Sequence, residues 1–530
     1  MSYENNVEEF LKVKNQFQLG NLLTESPHPA TVDLSSLTQN DVPKAIQTLK
    51  KVDLLALGMF KESIPQLQKL HRAVHDTLSH GGNIYLGGCG ATGRLSLVCE
   101  FIWRWNHKSS PLKDRVIGFM AGGDVALIAS IEKFEDFPEY GARQLRELGF
   151  GENDLFIGSS EGGETPFVIG AAEEASKISK RKPFFMYCNP DELLTESIIR
   201  SRQIIQNPEI EKINLTVGPM AITGSTRMQA STALMYAIGL CLDEHGKSFS
   251  NIEKRALKFI KKLETTPLNF LEAFVIKEAE IYQKGELVFY DTTSDFGITI
   301  LTDTTERSPT FSLHPFENKH DIKKNPSLCY LLFNRADNAE NAWFDLLQRA
   351  PRTFHWSEVT DRTNQDRLMG FDFSSKIVEE RGIWHQKKSH FFTIRPNENR
   401  IEFKLDDQSH QLDISDLDFL EQHLFLKIML NCLSTSIMGR MSRYDGNVMT
   451  WVRSSNYKLI DRTIRYITMI LKQSHLEVPY NDIARKIFEI KDKVPSDRPL
   501  VVEVADYYKN QSKLLKVGKI SSRNTRPDQS

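Results

Sequence analysis

Apolar residues recur along this chain with two periods, and each period predicts one kind of element. Between residues 42 and 80 they return every three or four positions, which predicts one or two amphipathic helices. Short apolar runs then lie near 83–87, 115–120, 154–158 and 183–188, with helical patterns between them. Strands that alternate with helices predict a mainly parallel sheet covered by helices. Ligands bind such sheets at the carboxyl ends of the strands.

A glycine-rich turn follows the first predicted strand. Residues 81–94 read GGNIYLGGCGATGR, which is an apolar strand, a run of glycines and the start of a helix. Glycines let ligand oxygens approach the backbone, and the free N–H groups of a helix start attract anions. This stretch predicts a phosphate-binding loop that includes Gly90. A tight loop without a ligand explains the same pattern, and neither a Walker motif nor dinucleotide-binding spacing is present.

Two further stretches place small hydroxyl residues at a helix start. They are DLFIGSSEGGETPFVIG (154–170) and TVGPMAITGSTRMQASTA (216–233). Ser and Thr are ordinary helix caps, so each stretch alone has a purely structural explanation. Three such helix starts in one α/β region indicate convergence on one phosphorylated ligand. The candidate residues in these two stretches are Ser159, Ser160, Thr165, Ser225 and Thr226.

Composition narrows the function classes. The 530 residues include 67 basic and 69 acidic side chains, so the chain has no overall attraction to nucleic acid or to an anionic membrane. No apolar run reaches the roughly 18 residues of a membrane-spanning helix, and the cysteines are scattered without a Cys-x-x-Cys pair. The histidines show no metal-binding spacing. We therefore expect a globular cytoplasmic protein with no metal, cofactor, nucleic acid or membrane partner.

The order of elements recurs from about residue 250, which predicts two similar α/β domains in tandem. The second copy lacks the glycines and hydroxyls of the first, so we expect its phosphate loops to be lost. The matching segments are 251–284 with 42–81, KGELVFYDTTSDFG (284–297) with 81–94, 327–350 with 154–175, and 419–435 with the helix that starts near Arg227.

Several strings resemble the sugar isomerase (SIS) domain family. They are AGGDVALIASIEKFED, SSEGGETP, TGSTRMQAST, and LKIMLNCLSTSIMGR followed by SSNYKL, and the resemblance covers roughly residues 20–470. Within the family the chain is similar to the N-acetylmuramic acid 6-phosphate etherases and, in its tandem length, to the glucokinase regulatory protein. The resemblance implies a phosphosugar ligand whose phosphate is held by Thr92, Ser160, Thr165, Ser225 and Thr226.

The resemblance also implies two catalytic glutamates and a helix lysine. One glutamate falls on Glu132, as the base. The family's acid is replaced by Ile102 in the first copy, but Glu306 occupies the position in the DTTERSPT string of the second. The lysine is likewise replaced by Met235 and kept as Lys427. We therefore predict one composite site between the copies, a pseudo-dimer within one chain. Solvated helix glutamates and a surface lysine are the structural alternative.

The family pattern is not matched everywhere. Glu161 and Glu164 stand beside the expected phosphate, and Gly162 replaces a second serine. The predicted function is a lyase that releases D-lactate from a 6-phosphosugar. The alternative is a non-catalytic regulator that responds to a phosphosugar and offers a surface to a partner such as a sugar kinase. A sugar phosphate isomerase is a third option, for which no ring-opening base can be assigned.

The predicted fold is α/β, with two doubly wound SIS-type domains on parallel sheets and a helical C-terminal segment. The predicted units are an N-terminal arm (1–40), a first, phosphosugar-binding domain (41–248), a second domain with degenerate phosphate loops (249–446), a helical C-terminal lid (447–515) and a disordered tail (516–530).

Overall fold

The structure is a computed structural model that describes residues 7–17, 19–131, 134–322, 325–452, 454, 457–495 and 498–523. Helices cover most of this part of the chain. They are α1 Val7–Val13, α2 Leu34–Asn40, α3 Val42–Ser63, α4 Leu67–Ser79, α5 Ala91–Asn106, α6 Pro138–Glu147, α7 Pro166–Ile178, α8 Asp191–Ser197, α9 Ile199–Ile205, α10 Gln229–Asp243, α11 Ser250–Thr265, α12 Leu271–Gln283, α13 Ser294–Phe311, α14 Ala339–Leu347, α15 Thr360–Thr363, α16 Gln365–Met369, α17 Lys376–His385, α18 Phe419–Arg440, α19 Tyr457–Gln473, α20 Tyr480–Ile490 and α21 Leu500–Arg523.

The strands form two larger sheets and one small hairpin in the described residues. The first sheet has the order β2-β1-β3-β4-β5 and is parallel throughout. The strands are β1 Ile84–Gly88, β2 Val116–Met120, β3 Leu155–Ser159, β4 Phe184–Tyr187, β5 Glu211–Asn214, β6 Leu287–Asp291, β7 Cys329–Leu332, β8 Ser389–Asn397, β9 Arg400–Leu405, β10 Gln408–Asp413, β11 Tyr444–Asp445 and β12 Val448–Met449.

The second sheet has the order β10-β9-β8-β6-β7 and is mixed. Strands β6, β7 and β8 pair in parallel, whereas β8, β9 and β10 form an antiparallel meander. The α/β class is confirmed, but the prediction of a parallel sheet in the second domain holds for three strands only. Two residues separate β8 from β9, and two separate β9 from β10. Connections this short join antiparallel strands, because a parallel pair needs a crossover.

The two sheets have the same strand order when the strands of each sheet are numbered from its own first strand. Read from the other edge, the second sheet is β7-β6-β8-β9-β10, so β7 takes the position that β2 has in the first sheet. The match of 327–350 with 154–175 was therefore wrong. By position in the sheet, 327–350 corresponds to β2 and the segment after it. An apolar run followed by a polar turn does not reveal which strand it is.

Four helices pack between the two sheets. Helices α5 and α10 come from the first half of the chain, and α13 and α18 come from the second. Helix α5 contacts α10 and α13, and α18 contacts the same two helices. Helix α18 is buried from Leu420 to Gly439 at every position except Gln422. A helix that is buried on all sides belongs in the centre of the molecule. The two halves therefore meet face to face across a helical layer.

The chain ends lie against each other. Phe10 in α1 is fully buried and contacts the rings of Tyr457, Tyr480 and Phe488. The predicted C-terminal helical segment is confirmed, and α21 continues to Arg523. The part of the predicted disordered tail that the structure describes is thus helical, and 524–530 lie outside the described residues. None of the helices in the described part is long and apolar enough to cross a membrane.

Candidate functional site

A narrow cavity lies in the helical layer between the two halves. Its lining includes Ser231 and Met235 from α10, Asp303 and Glu306 from α13, and Lys427 from α18. The room for the centres of water molecules is about 20 Å³, so the cavity is too narrow for a sugar ring in this conformation. A sugar ring can enter only if the surrounding helices or loops move. Two residues that the sequence placed in a composite site, Glu306 and Lys427, do line one cavity.

Glu306 is buried and paired with a cation. The Arg94 Nη1 atom lies 2.6 Å from the Glu306 Oε1 atom, and both side chains are less than a tenth exposed. The second terminal nitrogen of Arg94, Nη2, donates to the carbonyl oxygens of Ala126 and Leu127. Arg94 therefore ties the glycine-loop helix α5 to the second domain and to the segment after β2. The solvated-glutamate alternative is wrong for Glu306.

Lys427 is buried as well, and its ammonium group is fully used. It donates to the carbonyl oxygens of Arg227 at 2.9 Å and Met228 at 3.2 Å, and to the Thr232 hydroxyl at 2.8 Å. Burial lowers the pKa of Lys427 to about 8, against an opposing effect of Asp53. The surface-lysine alternative is therefore wrong. In this conformation Lys427 braces the TGSTRM loop rather than pointing to a free space.

A buried charge network continues behind the cavity. Asp303 accepts from Arg227 at 3.0 Å, from Arg307 at 3.1 Å and from the Ser434 hydroxyl at 2.8 Å. Arg307 in turn pairs with Glu278 at 2.7 Å. Breaking one partner of such a network is costly because it leaves an uncompensated charge in a dry interior. The sequence analysis missed Asp303 and Arg94, although charged residues inside apolar helices are a usable signal.

Three of the predicted phosphate contacts are satisfied inside their own loops. The Thr92 hydroxyl accepts from the Cys89 amide at 2.9 Å and donates to the Cys89 carbonyl oxygen. The Ser160 hydroxyl lies 2.9 Å from that of Thr165 and accepts from backbone amides at the start of α7. Gly90 has φ of 54°, a conformation that favours glycine. These hydrogen bonds stay within the turn before each helix, and an oxyanion would have to replace them.

Two other serines at this edge have hydroxyls without a partner. Ser159 is fully buried and Ser225 is 4% exposed, and in the described residues neither Oγ atom makes a hydrogen bond. Thr226, next to Ser225, is half-buried. Buried hydroxyls are nearly always hydrogen-bonded, so each orphan needs an explanation. Ser225 is the predicted phosphate contact that this observation singles out.

The carboxylate of Glu164 beside these loops is compensated by cations. Lys458 of α19 lies 3.0 Å from it, and Arg200 of α9 binds its other oxygen. Burial opposes ionisation, yet Lys458 and Arg200 together lower the pKa of Glu164 to about 2. Glu164 therefore does not repel an anionic ligand as a free carboxylate would.

Glu161 has no such compensation. Burial raises the pKa of Glu161 to about 7, although the Ser231 hydroxyl, 2.8 Å away, acts in the opposite direction. Ser231 also lines the cavity, so this carboxyl group is one hydroxyl away from it.

The second glutamate named from the resemblance, Glu132, lies outside the described residues. The chain on either side of it is held by a crossover segment, residues 348–359, that leaves the second domain and packs on the first. Arg349 binds Glu100 and Asp124 at 2.6–3.3 Å, and the Arg352 amide donates to Asp124 at 2.7 Å. The second domain thus fixes the segment that follows β2.

Helix α19 covers the loops from the outside. The Tyr466 hydroxyl donates to the Thr223 carbonyl oxygen at 2.7 Å, at the start of the TGSTRM loop. Arg462 pairs with Glu25 of the N-terminal arm at 2.5 Å. Both chain ends therefore help to close this edge of the first domain.

The sequence comparisons agree with this architecture. A family model described as the glucokinase regulatory protein N-terminal SIS domain matches residues 66–175. An N-acetylmuramic acid 6-phosphate etherase of Enterobacter sp. (strain 638) is 31% identical over 242 residues, which cover 44% of this chain and 74% of that protein. The chain belongs to the SIS-domain family of these etherases. The N-acetylmuramic acid 6-phosphate etherase of Aliivibrio fischeri (strain ATCC 700601 / ES114) is 30% identical over 243 residues, which cover 45% of this SIS-domain chain and 75% of that protein.

Solved structures with a similar fold are more distant from this SIS-domain protein. A tagatose-6-phosphate ketose/aldose isomerase from Escherichia coli is 10% identical with a TM-score of 0.39, over 79% of this chain and 95% of that one. The C-terminal domain of a glucosamine-fructose-6-phosphate aminotransferase from Francisella tularensis is also 10% identical, with a TM-score of 0.35, over 74% and 95%.

Proposed function

We propose that this protein binds a 6-phosphorylated amino or keto sugar between its two domains and acts on it as an etherase-type carbon–oxygen lyase. The observation that carries the proposal is the cavity that joins Glu306 and Lys427 of the second domain to Ser231 of the first. The relatives at 30–31% identity are N-acetylmuramic acid 6-phosphate etherases, which supports the same class of activity.

The proposed chemistry is elimination followed by hydration. A base, assigned to Glu132 from the resemblance, takes the proton from C2 of the sugar, and the C3–O ether bond breaks. Glu306 is the group assigned to protonate the leaving D-lactate oxygen, after which water adds to the double bond. Two carboxyl groups in different surroundings suit such a division of acid and base work. The Arg94 contact occupies the Oε1 atom of Glu306, which leaves Oε2 as the oxygen for this proton transfer.

The proposed phosphate contacts are Thr92, Ser160, Thr165, Ser225 and Thr226, with Gly90 and Ser159 beside them. Neutral donors at helix starts suit a phosphate dianion, since each adds a directed hydrogen bond. The unsatisfied Ser225 hydroxyl supports this role most directly. Lys427 supports the loop through its contact to the Met228 carbonyl oxygen.

A second function competes with the lyase. The match to the regulatory-protein SIS domain at residues 66–175 favours a non-catalytic protein that responds to a phosphosugar. In that case the same cavity binds without turnover, and the ligand changes the surface offered to a partner such as a sugar kinase. The narrowness of the cavity also fits a protein that switches between two arrangements.

The deciding experiment is the release of D-lactate from N-acetylmuramic acid 6-phosphate by the purified protein. Glu306→Gln and Glu132→Gln should each lower the rate by about 10²–10⁴-fold, the usual loss for a general acid or base. Glu280→Gln, on the exposed face of α12, is the matched control and should leave the rate unchanged. Phosphosugar binding without any lactate release would refute the lyase and leave the regulator.

A thermal-shift screen tests the ligand class independently of turnover. Glucosamine, N-acetylglucosamine, N-acetylmuramic acid, glucose and fructose 6-phosphates should raise the unfolding midpoint, and at equal concentration the tighter ligands should raise it more. Ser225→Ala should weaken the stabilisation, and Ser409→Ala on the distant edge strand β10 should not. If none of these sugars shifts the midpoint, the phosphosugar proposal fails.

A further inference from the structure

Two acidic side chains lie within the loop that follows β3, and only one of them is paired with cations. Glu164 is matched by Lys458 and Arg200. In the described residues Glu161 has no Lys, Arg or His nitrogen within 4.0 Å, although it is only 7% exposed. A buried carboxylate without a cation is costly, and such a group usually takes up a proton instead.

The hydrogen bonds around Ser231 indicate where that proton is. The Ser231 Oγ atom lies 2.8 Å from the Glu161 carboxyl and 3.1 Å from the Thr226 carbonyl oxygen. A hydroxyl has one proton, so it cannot donate to two acceptors at once. If Glu161 is protonated, it donates to Ser231, and Ser231 donates to Thr226. Both contacts are then satisfied, whereas an ionised Glu161 leaves one of them without a hydrogen.

Other groups around Glu161 act in both directions. Glu306 across the cavity raises its pKa, and Lys427 lowers it. Cys89 and Cys188 also face Glu161, and burial raises the pKa of both thiols, so they bring no charge near neutral pH. The balance of these neighbours keeps the pKa of Glu161 at about 7.

We propose that Glu161 carries a proton when the site holds a phosphosugar, so that binding of the dianion takes up one proton above neutral pH. This inference rests on the proposed phosphosugar ligand. It assigns to Glu161 the role of a residue whose protonation determines whether the site accepts the phosphosugar. An ionised Glu161 adds a negative charge between the Ser160 loop and the TGSTRM loop, where the phosphate is expected. The protonated form removes that charge and keeps Ser231 aligned.

The linkage has a measurable size. With a pKa of about 7, Glu161 is about half protonated at pH 7 and about 3% protonated at pH 8.5. If only the protonated form binds, the association constant falls about 15-fold between these pH values. A phosphate ester with a second pKa near 6 stays mainly dianionic over this range, so the ligand contributes little to the change.

Isothermal titration with N-acetylglucosamine 6-phosphate tests the proposal, because this sugar has no lactyl ether to lose. At pH 8, titrations in two buffers with different ionisation enthalpies should give an uptake of about 0.9 proton for the wild type. Glu161→Gln mimics the protonated carboxyl, so it should take up almost no proton and bind about equally at pH 7 and 8.5. Glu280→Gln is the matched control and should behave as the wild type.

A second measurement needs no ligand. A carboxyl whose pKa is raised by folding loses stability as the pH rises through the folded pKa. The unfolding midpoint of the wild type should therefore fall relative to that of Glu161→Gln between pH 5 and pH 8.5. Parallel midpoints across this range would overturn the proposal, as would equal proton uptake by the two proteins. If the wild type binds no phosphosugar at pH 7, the proposed function fails and the linkage fails with it.

Discussion

Replacement of Arg349 by Met tests whether the crossover segment holds the chain that follows β2. Arg349, Glu100 and Asp124 are all at least nine-tenths buried, and the guanidinium makes four contacts of 2.6–3.3 Å to the two carboxylates. Burial by itself raises the pKa of Glu100, but Arg349 and Arg352 hold that pKa below its usual value. The variant removes one of two cations and leaves a net negative charge in a dry region.

The expected loss of stability follows from this net charge. Removing one partner of a buried ion pair costs about 3–5 kcal/mol, and we expect the lower end because Arg352 still contacts Glu100 at 2.6 Å. About 3 kcal/mol corresponds to a roughly 150-fold larger equilibrium constant for opening, and amide exchange should speed up by the same factor. Native-state hydrogen exchange of the Asp124 amide, which donates to the Arg352 carbonyl oxygen, reports this opening directly.

Controls separate the buried network from a general effect of charge. Arg485→Met removes an exposed pair with Glu8, so it should cost at most about 1 kcal/mol and leave exchange at Asp124 unchanged. Adding Glu100→Gln to the Arg349 variant should recover part of the loss, since the uncompensated charge is removed. An exchange rate at Asp124 that rises less than about fivefold in Arg349→Met would refute the reasoning.

Three further predictions concern single residues. Gly123→Ala should lower the thermal unfolding midpoint, because φ is +72° and the new Cβ atom would lie 2.7 Å from a ring carbon of Phe354. Gly382→Ala should raise the midpoint, because a Cβ atom there meets no neighbour and alanine favours the helix. Burial lowers the pKa of His423 to about 3, so protonation of the unfolded chain should lower the free energy of unfolding by about 2 kcal/mol between pH 6.5 and 5. Denaturant titrations should show a smaller loss for His423→Gln. Tyr466→Phe should cost about 1 kcal/mol and weaken phosphosugar binding in titrations by loosening Thr223; unchanged affinity would contradict that role.

The sequence predicted the first sheet well because its strands are short apolar runs with helices between them. It missed the meander at residues 389–413, and the reason is local. The turns after β8 and β9 place Glu398 and Asp406 at positive φ, where glycine or asparagine is the usual signal. Without that signal, the meander reads as a polar stretch with occasional apolar residues.

The candidate site divides in a similar way. The family strings were enough to name Glu306 and Lys427, which the structure places on one cavity. The partners of these residues could not be found from spacing. Arg94 and Glu306 are 212 positions apart, and Arg349 and Glu100 are 249 apart. Such pairs depend on how two domains pack, and no periodic pattern records that.

The contacts between the two chain ends have a consequence for synthesis. Glu25 meets Arg462 across 437 residues, and the Thr223 carbonyl oxygen meets the Tyr466 hydroxyl across 243. A ribosome that has made only the first α/β domain has therefore not yet made the helix that closes its ligand loops. Domains generally fold as they emerge, N-terminal first. The nascent first domain would then wait, with its anion-binding edge uncovered, until translation has passed residue 466 and the emerging helix reaches it.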